Sequence, residues 1–186
     1  MMTSRLHQYA CELTLDPNTA HTHLALSEEN RKATRVKESQ SYPDHPDRFD
    51  VWEQVVSKES LTGRCYWETQ WSGHAYISVC YKGIKRKGGV FDCVFGSNDQ
   101  SWSLDCSDDS FTVWHNYKPT HISARPDSSR TVGVFVDESS GSLSFYSVSD
   151  THKLTHLHTF NTTFTDTLHA GFRVYSGSSV SLCHTA

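Results

Sequence analysis

Three groups of residues have the types and spacing for chemistry. The chain carries twelve histidines, among them the pairs His21-x-His23 and His156-x-His158, with His152 nearby. Residues two apart on a strand share a face, so either pair would be placed to ligate a metal jointly. No carboxylate or thiol stands at a standard ligand spacing beside them, and they read as solvated or surface-packed histidines. Six cysteines (Cys11, Cys65, Cys80, Cys93, Cys106 and Cys183) lie far apart without a C-x-x-C pair. That spacing argues against a zinc knuckle or a redox motif and for free thiols in a reducing compartment. The cations Lys82, Lys85, Arg86 and Lys87 are bracketed by Gly83 and Gly88-Gly89. Glycine-rich backbone of this kind presents N–H groups to anions. The run nevertheless ends in Gly89-Val90 rather than in Lys and Ser/Thr, so a nucleotide P-loop fails on its defining residues. The cluster reads as an exposed loop between strands, its charges available to an acidic partner surface.

Serine, histidine and aspartate are abundant, but abundance is not a constellation. Neither a G-x-S-x-G elbow nor an H-E-x-x-H pair occurs. The chain is therefore expected to be no enzyme, and to need no cofactor and no metal. Its net charge of −4 gives no reason to expect nucleic acid. No stretch approaches the roughly 18 apolar residues that span a bilayer, and Met1 to Glu12 lacks the apolar centre of a secretory signal. The expectation is a soluble, cytoplasmic chain or a fragment of something larger, with no membrane partner. Asn161-Thr162-Thr163 fits the glycosylation acceptor pattern, which matters only in secreted chains.

The elements that must position these residues are mostly strands. Ile77, Val79 and Tyr81 fall on one face of Ala75 to Tyr81 while Ser78 and Cys80 fall on the other, the period of a half-buried strand. Val132, Val134 and Val136 repeat it, and Asp137 to Gly141 forms a turn before Leu143 and Phe145 resume it, which predicts a hairpin. Further strands are expected at Tyr66 to Trp71, Val90 to Phe95, Ser101 to Leu104, Phe111 to Trp114, His156 to Phe160, Gly171 to Tyr175 and Ser179 to Cys183. Trp67 and Trp102 sit within such alternation and are expected in the core. Helix is scarce: two turns over Arg5 to Leu13, stopped ahead of Asp16-Pro17, and a capped single turn at Ser27 to Asn30. Lys37 to Asp50, polar and carrying Pro43 and Pro46, is expected to be a loop. A chain of 186 residues with five Trp, eight Tyr and nine Phe fills one core, and many short strands at this spacing mean a sandwich or barrel.

An ordered series of short blocks carries a family resemblance. It runs from Leu13-Thr14-Leu15-Asp16-Pro17, with Leu24 and Leu26-Ser27-Glu28, through Arg48-Phe49-Asp50 and Gly63-Arg64-Cys65-Tyr66-Trp67-Glu68. It continues with Asn98 to Leu104, Val132 to Asp137, Gly141 to Tyr146 and Ala170-Gly171-Phe172. The series resembles the PRY-SPRY domain, also called B30.2, and its wording around Tyr81 to Gly88 and Trp114-His115-Asn116 resembles fish members. The resemblance implies an all-β fold, a two-layer antiparallel β-sandwich with one or two short N-terminal helical turns. It also implies a layout of an N-terminal helical extension over 1–12, a PRY subregion over 13–60 and an SPRY subregion over 61–186, together one compact domain.

Members recognise other proteins through surface loops. They occur at the C-terminus of tripartite-motif ubiquitin ligases, of cytosolic NLR immune receptors and of stonefish-type pore-forming toxins. The expected role is target recognition in a cytosolic, innate-immune and antiviral tripartite-motif ligase. The alternative is an assembly or sensing module of an NLR-type receptor or a toxin. The partner is then a protein or peptide, with self-association available through the parent protein. Candidate contact residues are Tyr42, His45, Trp71, His74, Lys85, Arg86, Trp114, Tyr117 and Phe164, because aromatics and arginine dominate interface energies. Asp105 and Ser107 stand where antibody-binding members carry pocket aromatics, and Arg173 where an aromatic or apolar residue is common. Those departures argue against antibody recognition and put a charge at the rim of the binding surface.

Overall fold

The computed structural model describes residues 2–184. A short helix, α1 (Met2–His7), is followed by β1 (Leu24–Ser27), β2 (Lys32–Arg35), β3 (Gln54–Val56), β4 (Arg64–Ser72), β5 (Ala75–Tyr81), β6 (Ser101–Cys106) and β7 (Phe111–His115). The remaining strands are β8 (Lys118–Ile122), β9 (Thr131–Asp137), β10 (Ser142–Val148), β11 (Leu154–Asn161), β12 (Leu168–Val174) and β13 (Ser179–Leu182). They build two antiparallel sheets, one ordered β1-β2-β13-β4-β9-β10-β11 and the other β3-β12-β5-β6-β7-β8. The fold is the expected all-β sandwich. No helix of the described residues is long and apolar enough to cross a membrane.

The period-two pattern explains the core. Val132, Val134 and Val136 of β9 and Ile77 and Val79 of β5 turn into the space between the sheets with Trp67, Trp102, Phe145 and Phe172, all almost fully buried. Strand β5 is buried along its whole length, because its second face is covered too. That cover is a smaller cluster of Phe49, Val56, Cys80, Ile84 and Phe95, laid over one end of the six-stranded sheet by the loops around 44–50 and 82–100.

Several local expectations change. Val90 to Phe95 is not a strand but a loop with a 3₁₀ turn at Phe91–Cys93. Burial does not alternate along it, since Val90 and Phe91 face solvent while Cys93, Val94 and Phe95 are all buried, and the Asn98 amide donates to the Phe91 and Val94 carbonyls in place of a neighbouring strand. Ser27 to Asn30 is no helical turn but the connection of the β1–β2 hairpin, with Glu28, Glu29 and Asn30 all at positive φ. The N-terminal helix ends at His7 rather than reaching Leu13. Beyond it the chain pairs with the part of β4 that β13 leaves open. The Tyr66 N–H donates to the Tyr9 carbonyl (2.9 Å), and the Cys11 N–H donates to the Tyr66 carbonyl (3.0 Å). Strands β1, β2, β3 and β8 escape sequence reasoning because they are short and bury no alternating face, β8 lying almost wholly exposed and β3 wholly buried.

Candidate functional site

Strand pairing sets two rows of side chains across the outer face of the six-stranded sheet, since directly paired residues share a face. One row reads Val56, Gly171, Ser78, Ser103, Trp114, Pro119. The other reads Gln54, Arg173, Tyr76, Asp105, Thr112, His121. The first row is small in its middle, and that is why a loop can lie on it. A Cβ on Gly171 would stand 2.7 Å from the Phe95 ring, and one on Gly96, at φ +90°, would stand 2.8 Å from Cβ of Trp114. The loop is fastened there by the buried Gln54 side chain, which donates to the Cys93 carbonyl (2.7 Å) and accepts from the Phe95 N–H (2.9 Å).

Beside the loop, Tyr76 and Arg173 of the second row and Trp114 of the first line a cavity of about 250 Å³. Trp52, Tyr76, Phe91, Val94, Ser97, Trp114, Tyr117 and Arg173 line it. Two of the four most exposed large apolar side chains of the described residues, Phe91 and Tyr117, belong to that lining. Phe91 (55% exposed) and Tyr117 (56%) stack on each other at 4.9 Å, while Val90 (60%) precedes Phe91 and Val51 (45%) precedes Trp52. Isolated exposed apolar residues need no explanation, but a contiguous set around a concavity marks an interaction surface.

The charges on this face are arranged in two ways. His74 Nε2 lies 2.6 Å from Asp105 Oδ1, and the imidazole stacks on Tyr175 at 3.9 Å. The Arg173 guanidinium lies over three rings, at 4.5 Å from the centroid of Tyr175, 4.9 Å from Trp52 and 5.4 Å from Tyr76. Burial, then the Asp105 charge and Tyr175, push the Tyr76 hydroxyl far above its usual pKa, with Arg173 opposing, so the phenol keeps its proton.

Of the twelve contact residues expected from sequence, His74, Asp105, Trp114, Tyr117 and Arg173 come together on this face. Ser107 lies past the end of β6 in the turn to β7, its hydroxyl turned to Ser110. Trp71 is no surface contact: it is 2% exposed, edge-on to Phe111 in the core, because it falls on the inward phase of β4. Phe164 is half-buried and stands edge-on to Trp102 at 5.2 Å, closing the core rather than projecting from it.

The other four form a second region. Tyr42 is half-buried and donates to the Leu24 carbonyl (2.6 Å), with the Arg48 guanidinium over its ring. The His45 carbonyl accepts from Lys87 Nζ (2.9 Å). Lys85 pairs with Asp92 at 3.2 Å. Arg86 is not a free contact cation. Its guanidinium donates to the carbonyls of Ile84, Asp47 and Lys82 and covers the Phe49 ring, so the basic cluster ties two loops together.

Sequence reasoning missed Trp52, Tyr76, Tyr175 and Phe91. Tyr76 was within reach, since the alternation that sends Ile77 inward sends Tyr76 outward with Ser78. No local pattern signals Trp52 or Phe91, which arrive from loops.

The histidine pairs hold no metal cluster among the described residues. His21 Nδ1 accepts from the His23 N–H, and His156 bonds Thr159. All six cysteines are free thiols.

Family comparisons agree with this architecture. A family model described as the SPRY-associated domain, PRY, matches residues 13–61, and one described as the SPRY domain matches residues 64–185. The chain is 41% identical to stonustoxin subunit beta of Synanceia horrida over 170 residues, 91% of this chain and 24% of that protein. It is 39% identical to tripartite motif-containing protein 16 of Mus musculus over 168 residues, 89% of this chain and 30% of that protein. The crystal structure of the TRIM65 PSpry domain superposes with a TM-score of 0.87 at 31% identity, covering 98% of this chain and 95% of that one. The chain thus spans less than a third of the length of these two full-length relatives.

Proposed function

The chain belongs to the PRY-SPRY family of binding domains, and from that premise we propose that it recognises a target protein or peptide through the aromatic face of its six-stranded sheet. One observation carries the reading. Phe91 and Tyr117, two of the four large apolar side chains left most exposed among the described residues, line a single cavity on that face, and the other two, Val90 and Val51, are chain neighbours of its lining residues Phe91 and Trp52. Water gains nothing from them, and aromatic side chains of this kind supply the hot spots of protein interfaces. A protein target also fits the charge, because a chain of net charge −4 has no electrostatic footprint for nucleic acid.

The parent on this reading is a cytoplasmic tripartite-motif ubiquitin ligase of innate, antiviral immunity, in which this domain selects the substrate. The likeness to tripartite motif-containing protein 16 supports it. The likeness to a stonustoxin subunit favours a second parent, a pore-forming protein in which the domain serves assembly; an NLR-type receptor is the third. The full-length transcript decides among them through what precedes these residues.

The binding site itself is tested by affinity capture with wild type, with Phe91→Ser/Tyr117→Ala and with Lys85→Ala/Arg86→Ala. A partner retained by wild type and by the loop variant but lost by Phe91→Ser/Tyr117→Ala is the expected result. A partner lost only on changing Lys85 and Arg86 moves the site to the other region.

A further inference from the structure

Arg173 is the one partly buried arginine whose guanidinium has no oxygen acceptor among the described residues. Arg31, Arg35, Arg48, Arg86 and Arg130 each donate to a backbone carbonyl, and several also meet a carboxylate. Arg173 instead rests on Trp52, Tyr76 and Tyr175. Contact with ring faces spends none of the guanidinium's N–H donors, and those donors form a fork that matches a carboxylate.

The carboxylate that could neutralise it is held elsewhere. Asp105 is two strands away in the same row, roughly 10 Å across the sheet, with Tyr76 between them and its oxygen engaged by His74 at 2.6 Å. A ligand that fills the cavity strips water from the Arg173 donors. An unpaired cation buried under an apolar ligand is strongly disfavoured, so the ligand must bring the acceptor. The cavity, at about 250 Å³, is smaller than a typical drug-sized site and suits one or two side chains.

Resting on the proposed binding face, we infer that the domain selects a protein segment carrying an internal Asp or Glu whose carboxylate forks onto Arg173, beside an aromatic or aliphatic residue that packs against Phe91 and Tyr117. Arg173 is on this account the specificity-determining residue. The aromatic rim supplies affinity, and the arginine decides what is admitted.

The test is selection of a peptide library displayed without a free C-terminus on the immobilised domain, with each enriched clone re-assayed on Tyr117→Ala. Clones that need Tyr117 are expected to share an Asp or Glu at a fixed distance from an apolar residue. In a synthetic peptide from such a clone, Glu→Gln is expected to weaken binding at least about tenfold. Arg173→Gln should weaken it equally, and combining the two changes should add little, as a coupled pair requires. Arg173→Lys, which keeps the charge without the fork, should recover only part of the loss. Tyr117-dependent clones without acidic enrichment, or a peptide indifferent to Glu→Gln on the wild-type domain, overturn the inference while leaving the face as the binding site. Absence of any Tyr117-dependent clone overturns both. The peptide arm needs no variant of Arg173, so it decides even if Arg173→Gln folds poorly.

Discussion

Arg86 and Arg173 are both half-buried cations on loops or strands of the same sheet, each lying over an aromatic ring, and they do opposite things. Arg86 spends its donors on three backbone carbonyls, and with Lys87, which donates to the His45 and Arg48 carbonyls, it binds the 45–50 loop to the 82–93 loop. Arg173 spends none on an oxygen of the described residues and opens on a cavity. The first arrangement closes a structure; the second is complete only with a ligand. A basic, aromatic surface is thus not one kind of surface, and the fate of the donors separates the scaffold from the site.

The largest effect should come from beneath the open face. Trp102 lies on the inward phase of β6, 2% exposed, between Tyr81 and Phe164, while Ser103 and Asp105 point the other way. Trp102→Ala should cost about 3–5 kcal/mol of stability in urea denaturation. A loss below about 1 kcal/mol would contradict its place in the core. Arg48→Ala comes next. Its guanidinium is buried and donates to the carbonyls of Pro17, Ala20 and Pro43, which would be left without partners. A loss of about 2–4 kcal/mol is expected there, against under about 1 kcal/mol for Arg173→Ala. Equal losses at the two arginines would erase the distinction between the regions.

Acid should weaken the tied region. His169 lies against it on β12, and burial, with Arg86 and Lys82 contributing, lowers its pKa below the usual 6.5. The unfolded chain then takes up the proton more readily than the folded one, so this stability is fully present above about pH 6.5 and falls as pH drops below it. The midpoint of unfolding should decrease between pH 7.5 and 5, and His169→Gln should flatten that slope. A residual slope is expected from His21 and His158, which are also shifted down by burial. An unchanged slope in the variant would mean that His169 is not desolvated by this packing.

The sandwich was legible in the sequence because period-two alternation at Val132 to Val136 or Ile77 to Tyr81 reports burial directly. The ordered blocks then pointed to the family. The site was half legible. Asp105 and Arg173 stood out as departures from the family's pattern, and the same departures prove to be neighbours across Tyr76. What the sequence hid is register and loop path. Trp71 and Tyr76 are five residues apart, but β4 and β5 belong to different sheets, so the chain crosses the sandwich between them, and no local pattern announces that crossing. Nor does any local signal say that Arg86 and Lys87 donate to carbonyls from a loop some forty residues earlier, since those acceptors belong to the backbone and carry no side-chain identity.

The smallest stability effect is expected where the binding effect is largest. Phe91 and Tyr117 stack mainly on each other, and each is more than half exposed, so removing both forfeits little area that folding takes from water. Phe91→Ser/Tyr117→Ala should therefore unfold within about 1 kcal/mol of wild type. Surface pairs that stabilise a fold behave otherwise, because their burial is made by the fold itself. The backbone beneath the pair is already fastened, by the Asn116 and Tyr117 N–H groups donating to the carbonyls of Asn98 and Gly96 and by Asn98 across the 3₁₀ turn, so the rings have nothing left to hold. A loss above about 2 kcal/mol would recast the rim as part of the scaffold. A near-neutral double variant that no longer binds would leave target recognition as the work of those two rings.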